Sequence, residues 1–178
     1  MNDEIFMNAC LKEAYKAYEN GEVPVGAVVV HNNKIISKAY NRKEKSNCAI
    51  DHAEIIAITK ASKKMKNWRL NDCVMYVNLE PCPMCASAIK QSRISKVVYL
   101  YDSNNVDNSK IAFDIYKSID GNKPVEICKL NDFSDNLNIV KDFFTKKRYW
   151  TNVSYIFLAF ICYTILVKWG EVYVSSFV

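Results

Sequence analysis

The chain has 178 residues, half of them apolar, and a formal net charge of +5. That length and composition allow one domain with a buried core and exclude a disordered chain. The mild positive charge favours a polyanionic partner, and it equally fits the Lys and Asn bias of an AT-rich genome.

Seven cysteines are present: Cys10, Cys48, Cys73, Cys82, Cys85, Cys128 and Cys162. The number is odd, and one pair alone has metal-binding spacing. Asp3 and Glu4 stand at the N-terminus in place of an apolar run, so no signal peptide is expected. Free thiols without a signal imply the reducing cytoplasm. Cys10, Cys73 and Cys128 are expected to pack as small buried hydrophobes.

Residues 3–19 carry apolar side chains at helical spacing, and Asn20-Gly21 supplies a left-handed stop. Val25 to Val30 is a nearly unbroken β-branched run and predicts a buried strand. Asn32-Asn33 predicts a tight turn, with Lys34 to Ala39 returning as the partner strand and His31 exposed beside the turn. Residues 40–51 are polar and predict an irregular loop. A helix follows over His52 to Met65, then a strand over Cys73 to Asn78. Pro83 suits the first turn of the next helix, where its missing N–H leaves no bond unmade. Val97 to Tyr101 predicts a fourth strand and the Asn/Asp/Ser-rich 102–110 a loop. A short helix over Ile111 to Ile119, a fifth strand over Pro124 to Cys128 and a terminal helix over Asp135 to Trp150 complete the pattern. Strands alternating with helices predict an α/β layer fold.

Chemistry concentrates in two segments, Asp51-His52-Ala53-Glu54 and Glu80-Pro81-Cys82-Pro83-Met84-Cys85. Two cysteines separated by two residues can hold one zinc ion, and a histidine from elsewhere can supply a third ligand. Three protein ligands leave one tetrahedral position open to water, which suits catalysis better than a structural role. Zinc lowers the pKa of such a water, and Glu54 lies close enough in sequence to take its proton. The first turn of a helix disfavours added positive charge, so His52 is expected neutral, the form that binds metal. Cys82 and Cys85 meet the positive end of a helix, which favours thiolate. Taken singly, His52 fits a core histidine, Cys82 and Cys85 a redox pair, and Glu54 a solvated helix residue. Cys48, four residues before His52, is an alternative ligand.

The His-x-Glu…Pro-Cys-x-x-Cys arrangement resembles the zinc-dependent nucleobase deaminases. Glu22 to Val28, Asn41-Arg42, Leu79 to Cys85, Ser92-Arg93-Ile94, and Asp142-Phe143-Phe144 with Lys146-Lys147-Arg148 resemble the bacterial tRNA adenosine deaminases. The resemblance covers roughly residues 3 to 148. It implies a three-layer α/β/α cytidine-deaminase-like fold with a five-stranded mixed sheet. It implies one zinc per subunit on His52, Cys82 and Cys85, and a homodimer acting on the wobble adenosine of a tRNA anticodon to give inosine. By the same resemblance Ala53 packs under the target base and offers its N–H, Asn41 hydrogen-bonds the nucleoside, and Pro24 and Val25 form the pocket wall. Arg93, Lys146, Lys147 and Arg148 become candidates for phosphate contact, with solvated surface charge as the competing reading.

One departure stands out. The family's glycine-rich loop after the fourth strand is replaced by Leu100 to Asn108, which contains no glycine. That keeps open the same chemistry on a free base or nucleoside, such as guanine or cytosine. A non-catalytic RNA-binding subunit would be expected to lack Glu54, and a purely structural zinc would leave no substrate turned over.

The expected domain spans 1–150, followed by a hydrophobic extension over 151–178. Tyr149 to Val167 carries no charge and follows a basic cluster. A packed C-terminal element, a non-functional extension and a short membrane anchor all fit it.

Overall fold

A computed structural model of the chain describes residues 3–103, 105–118, 121, 123–131 and 139–146. Contacts divide the chain into two compact units, Met1–Val140 and Lys141–Val178.

The first unit holds five strands and five helices among its described elements. In chain order they are α1 (Asp3–Glu19), β1 (Gly26–His31), β2 (Lys34–Tyr40), α2 (Lys43–Ser46), α3 (Ala53–Met65), β3 (Cys73–Leu79), α4 (Pro83–Gln91), β4 (Lys96–Tyr101), α5 (Val106–Lys117) and β5 (Glu126–Lys129). The strands form one sheet in the order β2-β1-β3-β4-β5. β1 runs antiparallel to β2 and β3, whereas β3, β4 and β5 are parallel. The sheet is therefore mixed and five-stranded, as expected.

Period-two alternation divides the core into two layers. Val28, Val30, Tyr76, Val98 and Leu100 face α1 through Phe6, Met7, Cys10 and Leu11. Ala27, Val29, Met75, Val77 and Val97 face the other helices, meeting Ala53, Ala57 and Ala61 of α3, Ala86 and Ile89 of α4, and Ala112 and Tyr116 of α5. Three alanines spaced by four residues give α3 a narrow apolar edge that lets it lie close to the sheet. The result is a three-layer α/β/α sandwich.

Gly21 takes φ +74° just past α1, the left-handed stop that Asn20-Gly21 predicts. Asn32 and Asn33 both have positive φ, 48° and 58°, as a type I′ hairpin turn requires. Gly26 matters for another reason. A Cβ there would stand 2.2 Å from the Cys10 carbonyl oxygen, so only glycine lets α1 approach β1 this closely.

Several expectations need correction. The 40–51 segment contains the short helix α2, which has no apolar periodicity to betray it. The Glu22 carboxylate holds it by accepting the N–H groups of Glu44 at 3.1 Å and Lys45 at 2.7 Å. α5 starts at Val106, five residues before the expected Ile111, because Asn105 caps it by accepting the Asn108 N–H at 3.1 Å. His31 closes β1 and is half-buried, paired with Lys34 and Cys73. Cys10 and Cys73 are buried as expected, while Cys128 is half-buried at the core's edge. Residues 139–146 are helical, within the expected terminal helix, and Lys146 pairs with Asp142 at 2.9 Å. Lys147, Arg148 and the whole 151–178 extension lie outside the described residues.

Candidate metal centre and active site

Two helix N-termini carry the site. His52 is the N-cap of α3 and Cys82 the N-cap of α4, each in extended backbone, with Cys85 in the first turn of α4. Their side chains converge although they come from sequence positions 30 or more apart. His52 Nδ1 lies 3.8 Å from Cys82 Sγ and 3.6 Å from Cys85 Sγ. The three ligand atoms are all within 4.8 Å of one another. Tetrahedral zinc with its usual bonds of about 2.0 Å to nitrogen and 2.3 Å to sulfur separates the two atoms by roughly 3.6 Å. The donor set and its spacing therefore fit zinc. Cys48 does not belong to this cluster, so its reading as an alternative ligand finds no support among the described residues.

Charge at the site follows from burial and contact. Cys82 is lowered to about 4, first because the Cys85 thiol donates to it. Cys85 is raised, first by the proton it shares with Cys82 and then by burial. His52 is raised, first through its hydrogen bond with Cys82. A helix N-terminus alone favours neutral imidazole, but the neighbouring thiolate outweighs it. Metal ions displace protons from such ligands, so binding here releases protons and is favoured by rising pH.

Glu54, in the first turn of α3, is only 4 % exposed, and its Oε2 has no hydrogen-bond partner among the described residues. Burial raises this carboxyl above its ordinary value. A buried acceptor without a partner, next to three metal-ligating atoms, is a group placed for an incoming molecule.

The segments expected to flank the site are tied down by hydrogen bonds from distant residues. Asn78 is fully buried; its Oδ1 accepts the Gly26 N–H at 2.8 Å and its Nδ2 donates to the Pro24 carbonyl at 2.9 Å. That fixes the Pro24-Val25 backbone, with Pro24 buried and Val25 half-buried. The Asn41 N–H donates to the Val25 carbonyl at 2.9 Å, and its side-chain amide donates to Glu22 at 3.4 Å. Arg42 N–H donates to the Asp51 carbonyl at 3.0 Å, tying this segment to the residue before His52. Ala53 is buried between His52 and Glu54.

Arg93 lies elsewhere. It follows the C-terminal end of α4, eleven positions from Cys82, or roughly 16 Å along a helix rising 1.5 Å per residue. It is exposed, with φ +61° and its guanidinium 5.4 Å from the centre of the Trp68 ring. Residues that the motifs did not assign a role include Glu22, Asn78 and Glu80. Glu22 and Glu80 stand inside the matching segments, but nothing in their spacing announces what they bind.

Residues 1–101 match the family model of the cytidine and deoxycytidylate deaminase zinc-binding region. The chain belongs to the cytidine and deoxycytidylate deaminase family. It is 50 % identical over 97 residues to the tRNA-specific adenosine deaminase of Bacillus subtilis, a match covering 54 % of this chain and 60 % of that protein. It is 37 % identical over 147 residues to the tRNA-specific adenosine deaminase of Buchnera aphidicola, covering 83 % of this chain and 97 % of that one. Two solved deaminases share the fold. One is from a study of A-to-I editing by tRNA:A34 deaminases at the wobble position, with TM-score 0.65 and 33 % identity over 71 % of this chain and 97 % of that one. The other is the guanine deaminase of Bacillus subtilis, with TM-score 0.56 and 32 % identity over 85 % of this chain and 95 % of that one. The family model ends at Tyr101, and the part of the chain it matches contains both helix-borne ligand segments.

Proposed function

We propose that the chain hydrolytically deaminates the wobble adenosine of a tRNA anticodon, giving inosine and ammonia. The observation that carries hydrolysis is the buried, unpartnered Glu54 oxygen beside His52, Cys82 and Cys85. The substrate is supported by the tRNA-specific adenosine deaminases to which the chain is similar over most of its described length.

Zinc bound by His52, Cys82 and Cys85 supplies Lewis acidity that makes water nucleophilic near neutral pH. Glu54 takes a proton from the attacking water and delivers it to N1 of adenine. The water oxygen bonds to C6, the C6–N6 bond breaks, and Glu54 passes the second water proton to the departing amine. Ala53 supports the base with its N–H, Asn41 orients the nucleoside, and Pro24 and Val25 wall the pocket. A wobble base in a single-stranded loop leaves its stack more easily than one in a duplex. Arg93, Lys146, Lys147 and Arg148 meet phosphates further along the RNA. In this reading residues 1–150 form the deaminase domain, which acts as a cytoplasmic homodimer. No helix among the described residues is long and apolar enough to cross a membrane.

Incubation with a tRNA bearing A34 should yield inosine on nucleoside digestion, while the same tRNA bearing G34 stays unchanged. No inosine from zinc-loaded protein would refute the proposal. The guanine deaminase likeness favours a second reading, in which free guanine is deaminated by the same residues.

A further inference from the structure

Glu80 opens the link between β3 and the zinc-ligating segment, two residues before Cys82. Its carboxylate reaches across to the next parallel strand's exit. Leu79 and Tyr101 are register partners at the ends of β3 and β4, and the Glu80 N–H donates to the Tyr101 carbonyl at 2.8 Å. Beyond them, Glu80 Oε2 accepts the Ser103 N–H at 3.0 Å and the Ser109 hydroxyl at 2.5 Å. Ser109 sits in the first turns of α5, where a negative charge is also favoured by the helix dipole. One carboxylate thus joins the ligand-bearing turn to the segment after β4 and to the start of α5.

Ligands of open α/β sheets bind beyond the carboxyl ends of the parallel strands. The β3 exit leads to Cys82 and Cys85, and the adjacent β4 exit, where Tyr101 pairs with Leu79, forms the second bank of such a crevice in the proposed reading. That bank contains no glycine between Leu100 and Asn108. Its local bonds, Asn105 N–H to Ser103 Oγ at 3.2 Å and Asn108 N–H to Asn105 Oδ1, shape the turn but do not attach it to the zinc segment. Glu80 makes that attachment.

We propose that Glu80, acting through Ser109, is a positioning residue that sets the spacing of the two banks and so governs how tightly the crevice holds an RNA loop. The inference rests on the tRNA reading above.

The test uses the zinc-loaded full chain with Ser109→Ala, Ser109→Thr and Glu80→Gln, and an anticodon stem-loop carrying a wobble adenosine. Hydrogen exchange of peptides covering 100–110 is measured on the same samples. Losing a hydrogen bond to a carboxylate should raise KM for the stem-loop roughly three- to tenfold in Ser109→Ala and Glu80→Gln. Zinc content should be unchanged, kcat for Ser109→Ala should stay within about twofold, and Ser109→Thr should restore KM. Exchange over 100–110 should quicken in the two loss variants. Unchanged KM and exchange would overturn the proposal. So would a fall in kcat and zinc content without a KM change, which would confine Glu80 to supporting the ligand turn. An unsubstituted chain that ignores the stem-loop would overturn the substrate reading and this use of the clamp. Exchange would then still decide whether the clamp itself exists.

Discussion

The Asn78 side chain binds the backbone on either side of Val25 at once, accepting from the Gly26 N–H at 2.8 Å and donating to the Pro24 carbonyl at 2.9 Å. Asn78 belongs to β3, so a central strand holds the entrance to β1 from 52 residues away in sequence. Position and site are coupled here, because the same backbone receives the Asn41 N–H through the Val25 carbonyl.

Asn78→Ala removes both bonds and leaves two buried backbone groups without partners. The expected loss of stability is about 3 kcal/mol, from the desolvation penalty of unpaired groups. The midpoint of urea denaturation reads it directly. KM should rise as well, because the Pro24-Val25 backbone, the pocket wall of the proposed function, loses its anchor. An unfolding free energy within about 0.5 kcal/mol of that of the unsubstituted chain would contradict this role.

Gly26→Ala places a methyl group 2.2 Å from the Cys10 carbonyl and 2.6 Å from the Ala14 N. Both obstacles are helix backbone, which cannot swing aside as a side chain would. α1 must move away from β1, and overpacking of this kind destabilises by about 3 kcal/mol. Thermal unfolding should show a lowered midpoint, with zinc content per folded molecule unchanged.

Glu54→Gln keeps the shape of the site and removes the proton carrier of the proposed mechanism. Turnover should fall by roughly 10²- to 10⁴-fold, the usual contribution of general acid–base catalysis. Zinc content, measured by mass spectrometry of the metal, should survive, because His52, Cys82 and Cys85 are intact. Unimpaired turnover would remove Glu54 from the mechanism.

Burial raises the Cys73 thiol from 9.0 to about 11. The folded chain therefore holds this proton more tightly than the unfolded chain. Its contribution to stability is fully present below the unfolded pKa near 9 and is lost as pH rises towards 11. Denaturant midpoints should fall between pH 8.5 and 10.5, and the fall should be shallower in Cys73→Ala. Buried Cys10, raised by the same cause, should leave a remaining slope.

Much of this arrangement is legible in the sequence. The β-branched Val28–Val30 run, the Asn32-Asn33 turn and the Gly21 stop are local signals, and each is where local physics puts it. The ligand set was legible because metal chemistry restricts both residue type and spacing. What escaped was long-range. Lys43–Ser46 is helical because a carboxylate twenty-odd residues away caps it, and four polar residues hold no trace of that. Asn105 begins α5 inside a stretch whose Asn, Asp and Ser content fits a loop equally well, since the same residues serve turns and caps. Lys90 is 2 % exposed and donates to the Ile115 carbonyl at 2.9 Å, a burial that its place in α4 does not foretell.

The most direct test of deamination at this site offers the zinc-loaded full chain an anticodon stem-loop with a wobble adenosine, and separately free adenine, guanine and cytosine, scoring ammonia and inosine. Inosine in the RNA, with ammonia in equal amount and none from the free bases, is the predicted result. Ammonia from guanine with the RNA untouched would contradict it and make the glycine-free 100–108 segment the mark of a free-base enzyme.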